Sequence, residues 1–227
     1  MTDLITLLAG GLIVSCQAYP GEPLRHPETM AQMAEAVVTG GAVAIRAQGL
    51  ADISFIKGRT AVPLIGLWKD GHDGVFITPT LRHARAVRDA GAEIVAIDGT
   101  RRPRPDGRTL AETITDLHQT GPTLVMADCG SLDDALAARD GGADIIGTTL
   151  AGYTTDRPRT DGPDLALLAE MVGHLPGIPI VAEGRIHTPA HAKAALDTGA
   201  HAVVVGTAIT HPTTITSWFH QALTATT

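Results

Sequence analysis

Aromatic residues make up only 3% of the 227 residues, so the interior must be filled by Ala, Val, Ile and Leu, the set that suits strands covered by helices on both faces. Cysteine is scarce too. Cys16 and Cys129 have neither metal nor redox spacing, which predicts buried free thiols in a reducing cytoplasm rather than a disulfide scaffold. No apolar run approaches a membrane span, and Met1-Thr2-Asp3-Leu4-Ile5-Thr6-Leu7-Leu8 lacks the positive start of a secretion signal. Charged residues are 18% of the chain, with a formal charge of −7, which argues against nucleic acid or an anionic membrane as partner but leaves room for a local basic pocket. There is no Gly-x-Gly-x-x-Gly turn and no Walker sequence, so nucleotide cofactors lose their best support.

What the chain does have is rhythm. Apolar runs of strand length recur near residues 12–18, 42–47, 63–69, 93–99, 123–129, 144–150, 179–185 and 202–208, each followed by a helix-like segment. Gly-Ala opens every second run, at Gly41, Gly91, Gly142 and Gly199, where glycine can close the preceding helix in the left-handed conformation. Pro63, Pro122 and Pro179 precede the third, fifth and seventh. Ser131 is a cap for a helix through Arg139, and Thr188-Pro189 a cap and first-turn proline for Ala190 to Thr198. Eight such units predict a (β/α)8 TIM barrel, one domain over residues 1–227. A doubly wound open sheet is the weaker alternative, because its Gly-rich first turn is replaced by Cys16-Gln17-Ala18-Tyr19-Pro20.

The ends of these runs gather polar residues: Gln17, Arg46, Lys69, Asp98, Asp128, Gly147-Thr148-Thr149, Glu183 and Gly206-Thr207. In a barrel they converge on the carboxyl-terminal mouth, where chemistry is done. Lys69 is the informative member, because a desolvated amine can lose its proton near neutral pH and act as base or Schiff-base former. A carboxylate at Glu183 would oppose this, so desolvation or a cation such as Arg46 must offset it; a structural Lys-Glu ion pair is the plainer alternative. Gly184 and Gly206, in the seventh and eighth loops, let backbone amides approach a phosphate, unless they only permit tight turns. All ten histidines fall outside the strand cores, so no catalytic metal is expected; His187 and His211 lie nearest the mouth. The loop with Arg101, Arg102, Arg104 and Arg108 either holds an anion or is a solvated charged loop. Ile215-Thr216-Ser217-Trp218-Phe219 either docks as the eighth helix or packs against a neighbour.

Val14-Ser15-Cys16-Gln17-Ala18, Asp98-Gly99-Thr100, Ala127-Asp128-Cys129, Ile145 to Thr154, Ala182-Glu183-Gly184-Arg185 and Val203-Val204-Val205-Gly206 together closely resemble the bacterial N-acetylmannosamine-6-phosphate 2-epimerases, over nearly the whole chain. The resemblance implies a TIM-barrel enzyme of sialic-acid salvage that interconverts N-acetylmannosamine 6-phosphate and N-acetylglucosamine 6-phosphate with no redox cofactor, working as a homodimer. It makes Lys69 the proton carrier at sugar C2 and Glu183 its acid-base partner. It makes Gln17, Arg46 and Asp128 sugar contacts, and Gly184, Gly206 and Thr207 the phosphate cradle. His211 stands where the family usually has arginine, so a titratable group replaces a permanent charge beside the expected phosphate. Two other readings stay open: another phosphate-barrel isomerase or Schiff-base lyase using Lys69, and a sugar-phosphate sensor without turnover.

Overall fold

The computed structural model describes residues 4–225. Met1-Thr2-Asp3 of the amino-terminal segment and the outermost residues of the expected 1–227 domain lie outside the described residues. Strands β1 (Leu12–Cys16), β2 (Ala44–Gln48), β3 (Leu64–Leu67), β4 (Ile94–Asp98), β5 (Leu124–Asp128), β6 (Ile145–Gly147), β7 (Ile180–Glu183) and β8 (Ala202–Val205) fall within the predicted runs, except that β2 ends one residue beyond its run. They pair in parallel and in chain order, and β8 returns to β1 with Ile13 opposite Val204, closing a (β/α)8 barrel and excluding the open sheet. Each strand is followed by a helix: α2 (Pro27–Thr39), α3 (Leu50–Lys57), α4 (Leu81–Asp89), α5 (Leu110–Gln119), α6 (Leu132–Asp140), α7 (Leu165–His174) and α8 (Pro189–Asp197). After β8 come the one-turn α9 (Thr207–Thr210) and α10 (Pro212–Thr224), while α1 (Leu4–Leu8) precedes β1.

The local signals act as their chemistry demands. Ser131 and Thr188 accept from the amides of Asp134 and His191 three residues on, so α6 and α8 begin at the next residue and end within one residue of the predicted stop. Gly41, Gly91, Gly142 and Gly199 all have positive φ, turning the chain from helix into strand. Pro63 and Pro179 have no amide to offer, yet their carbonyls accept from Ile45 and Ile146 of the neighbouring strand, so proline costs the ladder nothing at these strand starts.

Two apolar layers form because strand side chains alternate. Val14, Ile45, Val95, Ala127 and Val203 point outward into a layer shared with the helices. Ile13, Ala44, Ile65, Ile94, Met126, Val181 and Ala202 point inward and fill the barrel, with Leu8 of α1 fully buried among them. Continuing the inward parity toward the carboxyl ends gives Gln17, Arg46, Lys69, Asp128, Thr149, Glu183 and Gly206 on top of that apolar filling. The fold therefore delivers these groups to one place by period alone.

Packing on the outer layer is tight enough to dictate composition. A Cβ at Gly66 of β3 would lie 2.6 Å from Ala92 Cβ and 2.8 Å from Val87 Cγ1, which explains a glycine in the middle of a buried strand. The last helix is different. α10 has no buried residue, and Phe219 and Leu223 are exposed, although Trp218 rests its ring on His187 at 4.8 Å. Among the described residues no helix is long and apolar enough to cross a membrane.

Candidate active site

A cavity of about 550 Å³ opens at the carboxyl-terminal mouth and is lined, among others, by Gln17, Lys69, Thr149, Glu183, Gly206 and His211. Lys69 sits two residues beyond β3. The following loop folds back on it: Lys69 pairs antiparallel with Ile77, Asp70 N donates to Phe76 O at 3.0 Å, and Thr78 N to Trp68 O at 2.8 Å. Thr78 is fully buried at φ 46, and its hydroxyl donates to Ala96 O at 2.7 Å while accepting from Trp68 N, so the hairpin is pinned to β4. The lysine backbone is thus as fixed as a strand residue.

Its half-buried side chain donates from Nζ to Gln17 Oε1 at 2.9 Å, and Gln17 in turn donates to Ser15 Oγ at 2.8 Å. The Tyr19 ring lies 5.5 Å from Nζ, close enough for a cation-π contact. Desolvation is the largest influence on the amine and the Arg46 charge the next; together they outweigh Glu183 and Asp128 and hold its pKa below the usual lysine range. Among the described residues the ion-pair partner of Glu183 is Arg46, not Lys69, so the structural Lys-Glu pair is absent.

Beneath the cavity lies a charged floor that the cavity wall does not include. Arg46, 1% exposed, makes a two-point contact with Asp128, Nη2 to Oδ2 at 2.6 Å and Nη1 to Oδ1 at 3.2 Å, and Asp128 is fully buried. Arg46 Nη1 is also 3.3 Å from Glu183 Oε2. Glu183, with a side chain 14% exposed, has its pKa raised by desolvation, with Asp128 adding to the rise and Arg46, Thr149 and Lys69 resisting it. Arg46 and Asp128, which the family resemblance makes sugar contacts, are buried at this floor, where Arg46 approaches Glu183 and Asp128 meets Thr149.

Thr148 and Thr149, the extension of β6, are functional neighbours to which the strand-end reading gave no role. Thr148 Oγ1 accepts from Glu183 N at 3.0 Å and donates to Glu183 O at 2.9 Å. Thr149 Oγ1 lies 2.7 Å from Asp128 Oδ1 and 3.0 Å from Glu183 Oε2. A Cβ at Gly147 would fall 2.6 Å from Met126 Cε and 3.3 Å from Asp128 Oδ1, so a side chain here would crowd the cluster and push the methionine aside. The signal for Thr149 was in the sequence: it shares the inward parity of Ile145 and Gly147.

Gly184, Gly206 and Thr207 line one side of the same cavity. Gly184 has φ 108 and Arg185 φ 55, a left-handed pair that turns the backbone sharply after β7. Arg185 then anchors the 151–163 loop, donating to Ala151 O at 2.8 Å and Gly162 O at 3.1 Å. Gly206 caps α9, whose first amides, at Thr207 and Ala208, have no carbonyl one turn earlier to accept them. That is the short extra helix where barrels of this kind bind phosphate.

His211 lines the cavity but is committed elsewhere. It caps α10 through Nδ1, which accepts from Thr214 N at 3.3 Å, and Nε2 forms an ion-pair contact with Glu22, off the hydrogen-bonding direction. Its ring meets Tyr19 edge-on at 5.3 Å. His187 lines the wall with its pKa lowered by desolvation, then by His191 and Arg185. The arginine-rich loop does not reach this cavity. Arg101 pairs with Asp134, Arg102 with Asp98, and Arg108 with Asp116, while buried Arg104 donates to the carbonyls of Asp98 and Thr78, so these cations brace β4 and its neighbours instead of awaiting an anion. Cys16 and Cys129 are buried free thiols, with Cys16 pushed up to about 12 by burial. Among the described residues no three His, Cys, Asp or Glu side chains gather as metal ligands.

Comparison with known proteins follows the geometry closely. The family described as "Putative N-acetylmannosamine-6-phosphate epimerase" matches residues 30–225. The "Putative N-acetylmannosamine-6-phosphate 2-epimerase" of Cutibacterium acnes is 65% identical over 221 residues, covering 97% of this chain and 96% of the relative. Its namesake in Caldanaerobacter subterraneus is 49% identical over 220 residues, covering 96% and 92%. The solved structure of the N-acetylmannosamine-6-phosphate 2-epimerase from Clostridium perfringens superposes with a TM-score of 0.93 at 40% identity, over 97% of this chain and 96% of that one. A thiamine phosphate pyrophosphorylase from Pyrococcus furiosus, at 21% identity and TM-score 0.63 over 92% and 90%, shares the fold alone.

Proposed function

As a member of the N-acetylmannosamine-6-phosphate epimerase family, the chain interconverts N-acetylmannosamine 6-phosphate and its C2 epimer, N-acetylglucosamine 6-phosphate, and we propose that Lys69 and Glu183 carry the reaction by exchanging the hydrogen at C2. The observation that carries this reading is the convergence of Lys69 and Glu183 on the wall of one cavity, where burial lowers the pKa of the amine and raises that of the carboxyl group.

A C2 hydrogen is acidic only when the sugar ring is open and C1 is an aldehyde. Uncharged Lys69 takes that hydrogen as a proton and becomes an ammonium. The electron pair moves into the C1–C2 bond and onto the C1 oxygen, which receives the proton of Glu183. The net charge of the site does not change in this step, which matters where few waters can screen it. Returning the proton to C2 from the opposite face gives the epimer, and Glu183 recovers its own from the C1 oxygen. One lysine serves both faces if the open chain turns between the two transfers. Gln17 fixes the amine, and the amides of Gly184, Gly206 and Thr207 hold the 6-phosphate away from the reacting carbon.

Turnover in deuterated water should place deuterium at C2 of the product, read by proton NMR; a product that keeps its original hydrogen throughout sinks the route. Glu183→Gln should lower kcat about 100- to 1,000-fold and leave slow C2 exchange, because the lysine base survives while the proton donor is lost. Complete retention of activity in that variant would remove Glu183 from the chemistry.

The remaining expectations belong to the same proposal. The chain forms a single barrel domain and works in the cytoplasm, consistent with two buried unpaired thiols; cell fractionation tests the location. It pairs as a homodimer, for which the exposed Phe219 and Leu223 of α10 offer apolar surface. Sedimentation should give twice the chain mass, falling toward one chain in Phe219→Glu; a monomer at assay concentration would end the dimer reading.

A further inference from the structure

We propose that Thr149 is a positioning residue whose one hydroxyl hydrogen points to Asp128 in the resting site and turns to Glu183 when Glu183 gives up its proton. The inference rests on the reading of Glu183 as proton donor given above. It starts from a count of hydrogens. Thr149 Oγ1 has one to donate, yet it stands 2.7 Å from Asp128 Oδ1 and 3.0 Å from Glu183 Oε2. Asp128, gripped at both oxygens by Arg46, is a carboxylate that can only accept. Were Glu183 also ionised, one of the two contacts would be oxygen against oxygen with nothing between.

Arg46 does not resolve this. Both hydrogens of its Nη1 are directed elsewhere, to Asp128 Oδ1 at 3.2 Å and to Met126 Sδ at 3.7 Å, so at 3.3 Å from Glu183 Oε2 it supplies charge without a hydrogen bond. The arrangement that gives both Thr149 contacts a hydrogen is a chain: Glu183 Oε2–H donates to Thr149 Oγ1, and Thr149 donates to Asp128 Oδ1. The backbone clamp between Thr148 and Glu183 keeps the two side chains in register.

During turnover the C2 proton goes to Lys69 and the Glu183 proton to the sugar oxygen at C1. Glu183 is then a carboxylate, and the Thr149 hydroxyl rotates to donate to it, while Asp128 keeps both Arg46 bonds. The hydrogen bond to Glu183 strengthens as charge develops there, so it stabilises the transition state more than the ground state. The groups facing Glu183 are Arg46 from β2, Asp128 from β5, Lys69 beyond β3 and Tyr19 beyond β1. The proposed reaction needs one proton between them, on Glu183 with Lys69 uncharged, and burial moves both groups in that direction, raising the one and lowering the other. The alkaline limb of the pH profile is the loss of that proton, which leaves Glu183 as a carboxylate. A hydroxyl donor to that carboxylate favours the loss, so removing the hydroxyl must move the limb to higher pH.

Thr149→Val and Thr149→Ser provide the test, with kcat, KM and the pH profile followed alongside C2 exchange in deuterated water. The expected result for Val is a fall in kcat of about 10- to 100-fold, with KM changed less than about threefold and the alkaline limb raised; Ser restores both rate and limb. A Val variant at the wild-type rate, a slow one with an unmoved limb, or a Ser variant as slow as Val would overturn the proposal. Infrared difference spectra keep the question open to test even if Val fails to fold: the wild-type protein at neutral pH must show a protonated carboxyl band that Glu183→Gln removes, and its absence overturns the resting arrangement. Lack of C2 exchange by the wild-type chain would overturn the epimerase mechanism itself, whereas exchange that persists unchanged in Val overturns only the role of Thr149.

Discussion

Lys69→Met should cost at least about a thousandfold in kcat/KM and leave no deuterium at C2 of recovered sugar, while the far-ultraviolet circular dichroism stays that of the wild type. Methionine nearly matches the length of the lysine stem and lacks only the base, so the loss reports chemistry and not collapse of the pocket. The stability of the variant supplies the control. Because the folded-state pKa of Lys69 is depressed, the folded protein binds fewer protons there than the unfolded chain and is penalised whenever the amine is charged. That penalty is fully present below the folded pKa and disappears above the unfolded value. Methionine carries no such penalty, so the variant should be at least as stable as the wild type, with the difference widening as pH falls. The same shift sets the sign for activity: a depressed pKa keeps the free amine available to lower pH than an ordinary lysine would. Near-normal turnover by Lys69→Met would refute the assignment.

The strand rhythm was legible because it depends on short-range rules: apolar runs, proline before a strand, glycine after a helix. The apolar runs recur in every unit, glycine and proline alternate as punctuation from the second run on, and all eight runs became strands. The gathering of Gln17, Lys69 and Glu183 was legible for the same reason, since a strand end in a closed barrel can lie only at its rim. What strand-end reading left out was depth. Arg46 and Asp128 face inward under Glu183, and only the register, Asp128 opposite Gly147 on β6, shows that Asp128 stands beside a residue with no side chain. The arginine loop stayed open between two readings for a related reason. Sequence shows four cations together, but their partners Asp98, Asp116 and Asp134 lie on three different elements, and pairing across elements is a tertiary fact. His211 likewise reads as a spare titratable group until α10 needs a cap and Glu22 arrives from the β1 loop.

Arg46→Met should destabilise the fold by about 3–5 kcal/mol and nearly abolish turnover, because it strips away the guanidinium that lies against both Asp128 and Glu183. Asp128 would then take up a proton to remain buried, and Glu183 would keep its own to higher pH. Their folded pKa values would stand above those of the unfolded chain, so the variant binds more protons folded than unfolded and loses stability as pH rises. Its deficit against the wild type, measured by urea unfolding, should therefore be larger on the alkaline side than on the acid side. Activity should respond through both reacting groups. The Arg46 charge lowers the proton affinity of Lys69 and of Glu183 alike, so its removal raises both, and whatever rate survives should have its maximum at higher pH than in the wild type. Adding Asp128→Leu separates the two roles. If the pair serves the fold only by cancelling itself, the double variant should regain much of the lost stability, since replacing a buried ion pair by apolar groups is often neutral. It should regain none of the rate, because the charge that tunes Lys69 and the acceptor that orients Thr149 are both gone. Recovery of turnover along with stability would mean that the buried floor is scaffolding, and that the electrostatic account of the lysine is wrong.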